Sequence, residues 1–341
     1  MKSRPSKIRV SLFFRRPVAG GQYSIERLFG AVSEALPADR FEIQHLVCPF
    51  ESKGLLPRLA AILWAAIHQG DINHITGDVN FLGLLMRKSR TILTIHDSAS
   101  MIRLKNWRRS LYLLVWLRLP IRRAGRVTAI SERTLAETLS YVNADRSKFI
   151  VIPNCVTMNI NLSTREFVEK RPRLLAIGTK PNKNLPRVME ALQGIPCQLV
   201  IVGVLSDLHR ALIDRFKLDV EHHVGLDDNA IEHQYQDADL VLFVSTYEGF
   251  GLPILEAQAA GKPLITSKRA PMQSVAGPGS CLVDPDSTGE IREAILRVLN
   301  DHTYRAALVR AGTENVRDYS QVAIAARYAE VYEDMYLGKM P

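Results

Sequence analysis

Two glutamates stand eight residues apart in the stretch STYEGFGLPILEAQAAGKPLI (245–265), with Gly249, Phe250, Gly251, Leu252 and Pro253 between Glu248 and Glu256. Glycines at 249 and 251 permit unusual backbone angles and close approach of a ligand. Pro253 suits the first turn of a helix, where a missing N–H costs nothing. Gly261 suits its C-terminal stop. The first-turn amides, with those of Phe250 and Gly251, would then face an anion, above all a phosphate. Carboxylates beside a phosphate repel it. They make sense instead as acceptors for hydroxyls, a ribose on one side and a sugar on the other. Glu256 is expected in the first helical turn and Glu248 in the loop before it. On these residues alone a plain alternative stands beside this one, with Glu256 complementing the helix dipole and Glu248 solvated.

A second loop, GTKPNKNLPRVMEAL (178–192), follows the apolar run RLLAIG, with Gly178 at the turn and Lys180 and Lys183 as cations near the next helix start. Lysine is a compact phosphate-binding charge, although a solvated basic turn would look the same. In the first half, PVAGGQYSIERL places Gly20 and Gly21 after the first apolar run; they are not part of a GxGxxG fingerprint, so a dinucleotide site is not indicated. His96 and Asp97 end RTILTIHD, at the carboxyl end of a predicted strand, where active-site groups collect. DAD (237–239) and DPD (284–286) have a spacing that can hold Mg²⁺ beside a diphosphate, but ordinary turn chemistry explains both, and no metal site is assigned.

The elements that position these groups alternate along the chain. Strands are predicted at 8–14, 41–48, 71–76, 90–97, 126–131 and 147–154, and again at 173–178, 197–203, 220–225, 239–245, 262–266 and 281–284, with helical stretches such as 24–36 and 55–68 between most of them. Strands rich in Val, Ile and Leu alternating with helices imply parallel sheets covered on both faces, an α/β architecture. The polar stretch 157–173 has neither period and reads as a linker. Ligands of two doubly wound domains are expected in a cleft at the carboxyl ends of the strands. A length of 341 residues fits two such domains, and 47% apolar residues are enough for large cores. Cys48, Cys155, Cys197 and Cys281 show no metal spacing and read as reduced, buried thiols.

Charge divides the chain. Residues 1–160 hold 24 Lys+Arg against 11 Asp+Glu, and the remainder holds 20 against 24. The basic start of the N-terminus leads into an apolar run that stops at Arg15, which reads as a first strand rather than an export signal. The stretch 103–126 carries eight Lys/Arg, and no acid occurs from 98 to 131. Leu104, Trp107, Leu111, Leu114 and Val115 recur there at helical spacing, as in a helix lying on an anionic bilayer or equally in one packed on a core with an arginine rim. Nucleic acid is not expected, because no recognised binding module accompanies the charge.

With these residues assembled, the sequence resembles the retaining glycosyltransferases of family 4, whose GT-B fold is two facing Rossmann-like doubly wound domains with an interdomain cleft. EGFGLPILEA is similar to their E-x7-E motif, through Glu248 and Glu256. IGTKPNKNLPRVMEAL resembles their diphosphate-binding loop, with Lys183 at the lysine position. AGG at 19–21 and HD at 96–97 resemble the N-terminal glycine loop and the active-site histidine, and AISE and VIPNCV the closing segments of the first domain. Cys155 stands where the family usually has glycine, and Thr179, Lys180 and Asn182 occupy a stretch where many members carry an arginine.

The resemblance implies an acceptor-binding domain over 1–160, a nucleotide-sugar domain over 170–320 and a C-terminal helix over 321–341 packed back on the first. It implies a hexosyltransferase that moves a sugar from a nucleotide-diphosphate-sugar to a glycan or lipid-linked acceptor. In that role Glu256 would hold the ribose and Glu248 the donor sugar. The amides of Phe250, Gly251 and Leu252, with Gly20, Gly21, Gly178, Thr179 and Lys180, would help hold the donor. Lys183 would neutralise the departing diphosphate, and His96 would contact the sugar near the reacting carbon. No cofactor and no metal are implied. The expected setting is the cytoplasm, at the inner membrane face if the helix at 103–123 rests on anionic lipid. The alternatives are an epimerase or a pyridoxal-phosphate phosphorylase of the same fold, and a non-catalytic sugar-binding protein.

Overall fold

The computed structural model describes residues 7–16, 24–52, 54–96, 110–158, 160–163 and 165–339. Gly20, Gly21, Asp97 and the segment 103–109, with Leu104 and Trp107, lie outside the described residues. The chain divides into two compact units, one of residues 1–157 with 321–341 and one of 158–320.

The first unit contains β1 (Ile8–Phe14), α1 (Ser24–Ala35), β2 (Phe41–Val47), α2 (Leu55–Ile67), β3 (Ile72–Ile75), β4 (Thr91–Ile95), α3 (Leu119–Arg123), β5 (Arg126–Ala129), α4 (Glu132–Tyr141) and β6 (Phe149–Val151). All five pairings are parallel, in the order β2-β1-β3-β4-β5-β6. Successive residues of a strand point to opposite faces. Phe13 therefore joins a core with α2, the turn Asn80–Leu85 and α3, while Leu12 and Phe14 join a second core with α1 and the C-terminal helix. Ser131 caps α4 by accepting from the Thr134 amide.

The second unit contains β7 (Arg173–Ile177), α5 (Leu185–Ala191), β8 (Gln198–Val202), α6 (Asp207–Phe216), β9 (Asp219–His223), α7 (Asp228–Asp237), β10 (Leu240–Phe243), α8 (Leu252–Ala259), β11 (Leu264–Ser267), α9 (Met272–Ala276), β12 (Cys281–Val283), α10 (Thr288–Asn300) and α11 (His302–Asn315). Its parallel sheet runs β12-β11-β10-β7-β8-β9, the order of a dinucleotide-binding fold, with the reversal between β7 and β10. The last helix, α12 (Gln321–Tyr336), returns to the first unit and packs on α1, β1 and β3. Its Tyr332 hydroxyl is 2.7 Å from His74 Nδ1, and His74 Nε2 is 2.7 Å from Thr94 Oγ1. Complete burial, reinforced by nearby His96, lowers the His74 pKa to about 3, so this ring is neutral in the folded state.

The basic helix differs from its expected pattern. The described part opens into a π-turn at Leu113–Arg118; Leu113, Leu117, Pro120 and Ile121 are buried, and Val115 of the expected stripe packs against the same core. Leu111 and Leu114 are exposed instead. One extra residue per turn rotates the apolar face away from the 3.6-residue stripe read from the sequence.

Candidate functional site

The loops after β7 and β10 leave the second sheet on either side of its reversal point, where an open α/β sheet parts to admit ligands. They are laced together. The Thr246 amide donates to the Asn182 carbonyl at 2.8 Å. The Asn182 side-chain amide donates to the Tyr247 carbonyl at 2.9 Å and to Glu248 Oε1 at 3.2 Å. Lys183 Nζ lies 2.7 Å from the same Glu248 oxygen, with the two side chains only 18% and 16% exposed. The ammonium also sits over the Phe243 ring, 4.5 Å from its centroid.

The path of Lys183 depends on Gly178. That residue has φ +91°, and a Cβ there would come within 2.9 Å of Lys183 Cε and 3.0 Å of its Cγ. The lysine stem thus fills the space a side chain would occupy. A 3₁₀ turn over Pro181–Lys183 and a left-handed Asn184 then lead into α5. Asn184 is buried, with its side-chain amide donating to the Pro285 carbonyl at 2.6 Å. Thr179 packs its methyl against Gly203, and Lys180 is exposed.

In the other loop Gly251 has φ +108° and precedes α8, with Pro253 in the first turn. The amides of Phe250, Gly251 and Leu252 donate to no backbone acceptor outside the helix among the described residues. They form an open helix start of the kind that favours anions. The Phe250 ring is buried, edge-on to Tyr319 at 6.1 Å, so only its backbone is offered to a ligand. Glu256 falls one position later than expected. It is the fifth residue of α8, past the first turn, and so lies beyond the strongest influence of the helix dipole. What fixes it is Tyr235 of α7, whose hydroxyl donates to Glu256 Oε2 at 2.6 Å. Tyr235 is fully buried, and burial together with the Glu256 charge raises its pKa well above the ordinary value, so it remains a donor.

Sequence reading missed both Tyr235 and Asn182 as site-builders. Tyr235 is 21 residues from its partner and Asn182 is 66 from Glu248, and no local pattern links such pairs. His96, at the end of β4, belongs to the first unit. Its Nε2 lies 2.7 Å from the Thr76 carbonyl, so that nitrogen carries the proton. Gly77, with φ +136°, makes room for the ring; a Cβ there would meet His96 Cδ2 at 2.6 Å. The acidic pairs are otherwise engaged. Asp239 accepts the amides of Val168 and Arg173, and Asp284 and Asp286 both pair with Arg269. Among the described residues no group of three or more His, Cys, Asp or Glu side chains is arranged to hold a metal ion.

Comparison with known proteins places this geometry. The family Glycosyl transferases group 1 matches residues 162–315, and the Glycosyltransferase Family 4 domain matches residues 27–159. The chain is similar to an O-antigen chain mannosyltransferase B of Escherichia coli, 28% identical over 43% of this chain and 42% of that one. It is also similar to the O-antigen chain mannosyltransferase RfbU of Salmonella typhimurium, 25% identical over 60% of each. The chain thus spans between two fifths and three fifths of the length of these two relatives. In fold it resembles Anabaena Alr3699/HepE in complex with UDP, at a TM-score of 0.78 and 17% identity over 96% of this chain and 100% of that one. The two family matches lie on residues 27–159 and 162–315, each short of half the chain, and the two parallel six-stranded sheets give the chain the GT-B fold of the solved structure.

Proposed function

We propose that the protein is a retaining glycosyltransferase that moves a hexose from a nucleoside-diphosphate sugar to a glycan or lipid-linked acceptor, in the making of a cell-surface polysaccharide or glycolipid. The observation that supports it is the Lys183 ammonium held 2.7 Å from Glu248 on the two loops that flank the reversal of the second sheet. Relatives of this chain are O-antigen mannosyltransferases, and a protein of the same fold holds UDP.

In this reading the diphosphate lies against the start of α8, with the amides of Phe250, Gly251 and Leu252 as donors and Lys180 as an exposed cation beside it. Lys183 is a cation already in place when the bond from the sugar carbon to the diphosphate breaks. A fixed charge aimed at a developing charge needs no reorganisation at that moment, which makes such terms large. The acceptor oxygen bonds to the same face of the sugar carbon as the bond to the diphosphate breaks, and the acceptor proton passes to a diphosphate oxygen, so no covalent sugar–protein intermediate is required. Glu248 shares its oxygen between Lys183 and Asn182, and a sugar hydroxyl would add a further donor to this carboxylate. Glu256, oriented by Tyr235, accepts from the ribose. The positive field comes from lysines and backbone amides, and the reading assigns no metal.

Incubation with a panel of nucleoside-diphosphate sugars and candidate acceptors, with detection of released nucleotide, tests the proposal. Donor-dependent release that needs an acceptor is expected. Neither release nor a nucleotide-dependent rise in melting temperature with any common donor would reject it.

A further inference from the structure

The outward side of α2 is apolar. Leu55 and Leu56 are 73% and 77% exposed, and Leu59, Leu63 and Ile67 are 48%, 59% and 79% exposed. At 100° per residue these five side chains share one arc of the helix. The opposite arc, Ala61, Ile62 and Ala65, is buried in the core of the first unit. A helix that is apolar on all sides is normally enclosed on all sides. This one is enclosed on one. Isolated exposed leucines need no explanation, but five on one helix form a continuous apolar surface, which marks a contact site.

Neighbouring elements extend the surface and supply charge. The π-turn segment packs with α2 around the turn Asn80–Leu85, where the Asn80 amide donates to the Trp116 carbonyl at 2.9 Å and Arg58 of α2 lies over the Trp116 ring at 4.8 Å. Leu85, Leu111 and Leu114 of this group are also exposed, at 54%, 51% and 42%. Arg87, Lys88, Arg118, Arg122 and Arg123 are exposed on the same elements or just beside them. Between residues 52 and 131 the acids are Asp71, Asp78 and Asp97. Asp78 is paired with Arg15, and Asp71 accepts the Arg9 amide.

We propose that the outward face of α2, fringed by these arginines and Lys88, seats the first unit on an anionic lipid bilayer. The leucines enter the boundary between headgroups and acyl chains, and the cations meet the headgroup phosphates. Charge selects this occupant. A second copy docked face to face would bring the two arginine fringes together, whereas anionic lipid neutralises them. The surface is centred on α2, and Leu111, Leu114, Arg118, Arg122 and Arg123 of the 103–123 stretch border it. Over its described part, the 103–123 helix turns Leu113, Leu117 and Ile121 into the core, and α2 presents the larger exposed apolar area. No helix among the described residues is long and apolar enough to cross a membrane, so the contact is peripheral. It does not depend on the sugar-transfer reading, since none of its residues belongs to the candidate site.

Flotation of the full chain with vesicles of phosphatidylcholine alone, and of phosphatidylcholine with phosphatidylglycerol, tests the proposal. The test includes the variant Leu59→Gln/Leu63→Gln, with melting temperature and sedimentation velocity measured on each protein. Glutamine retains helix propensity and the side chains are outside the core, so the variant should melt like the parent. The parent should float with the anionic vesicles, more weakly in high salt, and each leucine removed should lower partitioning by about tenfold. Equal flotation of the folded variant, or no flotation of the parent at low salt, would overturn the proposal. A dimer that the variant dissolves, without flotation, would overturn it in favour of a second copy of the chain.

Discussion

Replacing Lys183 by alanine removes the cation held directly against Glu248, and the structure sets the size of the effect. The ammonium and the carboxylate are 2.7 Å apart and largely shielded from water. If the ammonium stabilises charge on the departing diphosphate, its loss should cost kcat about 100- to 1000-fold, or about 2.7–4 kcal/mol in the transition state. Glu248 keeps Asn182 as a donor at 3.2 Å, so the folded state should lose less, about 1–3 kcal/mol. The two effects separate in a steady-state assay of released nucleotide run beside calorimetric nucleotide binding and thermal unfolding. Turnover should collapse while nucleotide still binds and the protein still melts cooperatively. Arginine should not restore the rate, because its planar, delocalised fork does not reproduce the compact point charge of the lysine ammonium. A folded Lys183→Ala protein with the parent's kcat would refute the reasoning outright.

Gly178→Ala should damage the same step from a distance: its Cβ would press on Lys183 Cε at 2.9 Å from a backbone at φ +91°, so a fall in melting temperature of several degrees with a fall in kcat is expected. Tyr235→Phe removes the donor to Glu256 and should raise KM for the nucleotide sugar several-fold with a smaller change in kcat, read from initial rates over a donor titration. Stability should depend on His74. Its folded pKa, about 3, lies below the ordinary value of 6.5, so the unfolded chain binds a proton that the folded one refuses, and stability falls as pH drops from 6.5 toward 3. Between pH 7 and 5 this amounts to about 2 kcal/mol, and denaturant unfolding at the two pH values should show the difference in the parent and lose it in His74→Gln. Turnover should survive exhaustive chelation with EDTA; loss of turnover restored by Mg²⁺ would contradict the assignment of the positive field to Lys183 and backbone amides.

Strand positions were legible because buried parallel strands read as runs of Val, Ile and Leu, and each predicted run contains or overlaps an observed strand. Ends were less so. The run 90–97 yields a ladder only over Thr91–Ile95, since sequence shows apolar residues and not where pairing stops. The paired glutamates and Lys183 were legible as local patterns beside glycines. Their supports were not, because Tyr235 and Asn182 act through contacts made only by folding. The sequence also hid the direction of α2. Leucines and alanines are both apolar, and only packing reveals that the small residues Ala61 and Ala65 face inward and the leucines outward. The π-turn at Leu113–Arg118 altered the face of the basic helix in a way no 3.6-residue count can foresee.

Crystals of the full chain soaked with a nucleoside-diphosphate sugar offer the most direct check. Diphosphate oxygens should lie within hydrogen-bond distance of Lys183 Nζ and of the amides at the start of α8, with a ribose hydroxyl on Glu256 and a sugar hydroxyl on Glu248. A nucleotide bound elsewhere, with Lys183 still closed on Glu248 and the α8 amides untouched, would contradict it.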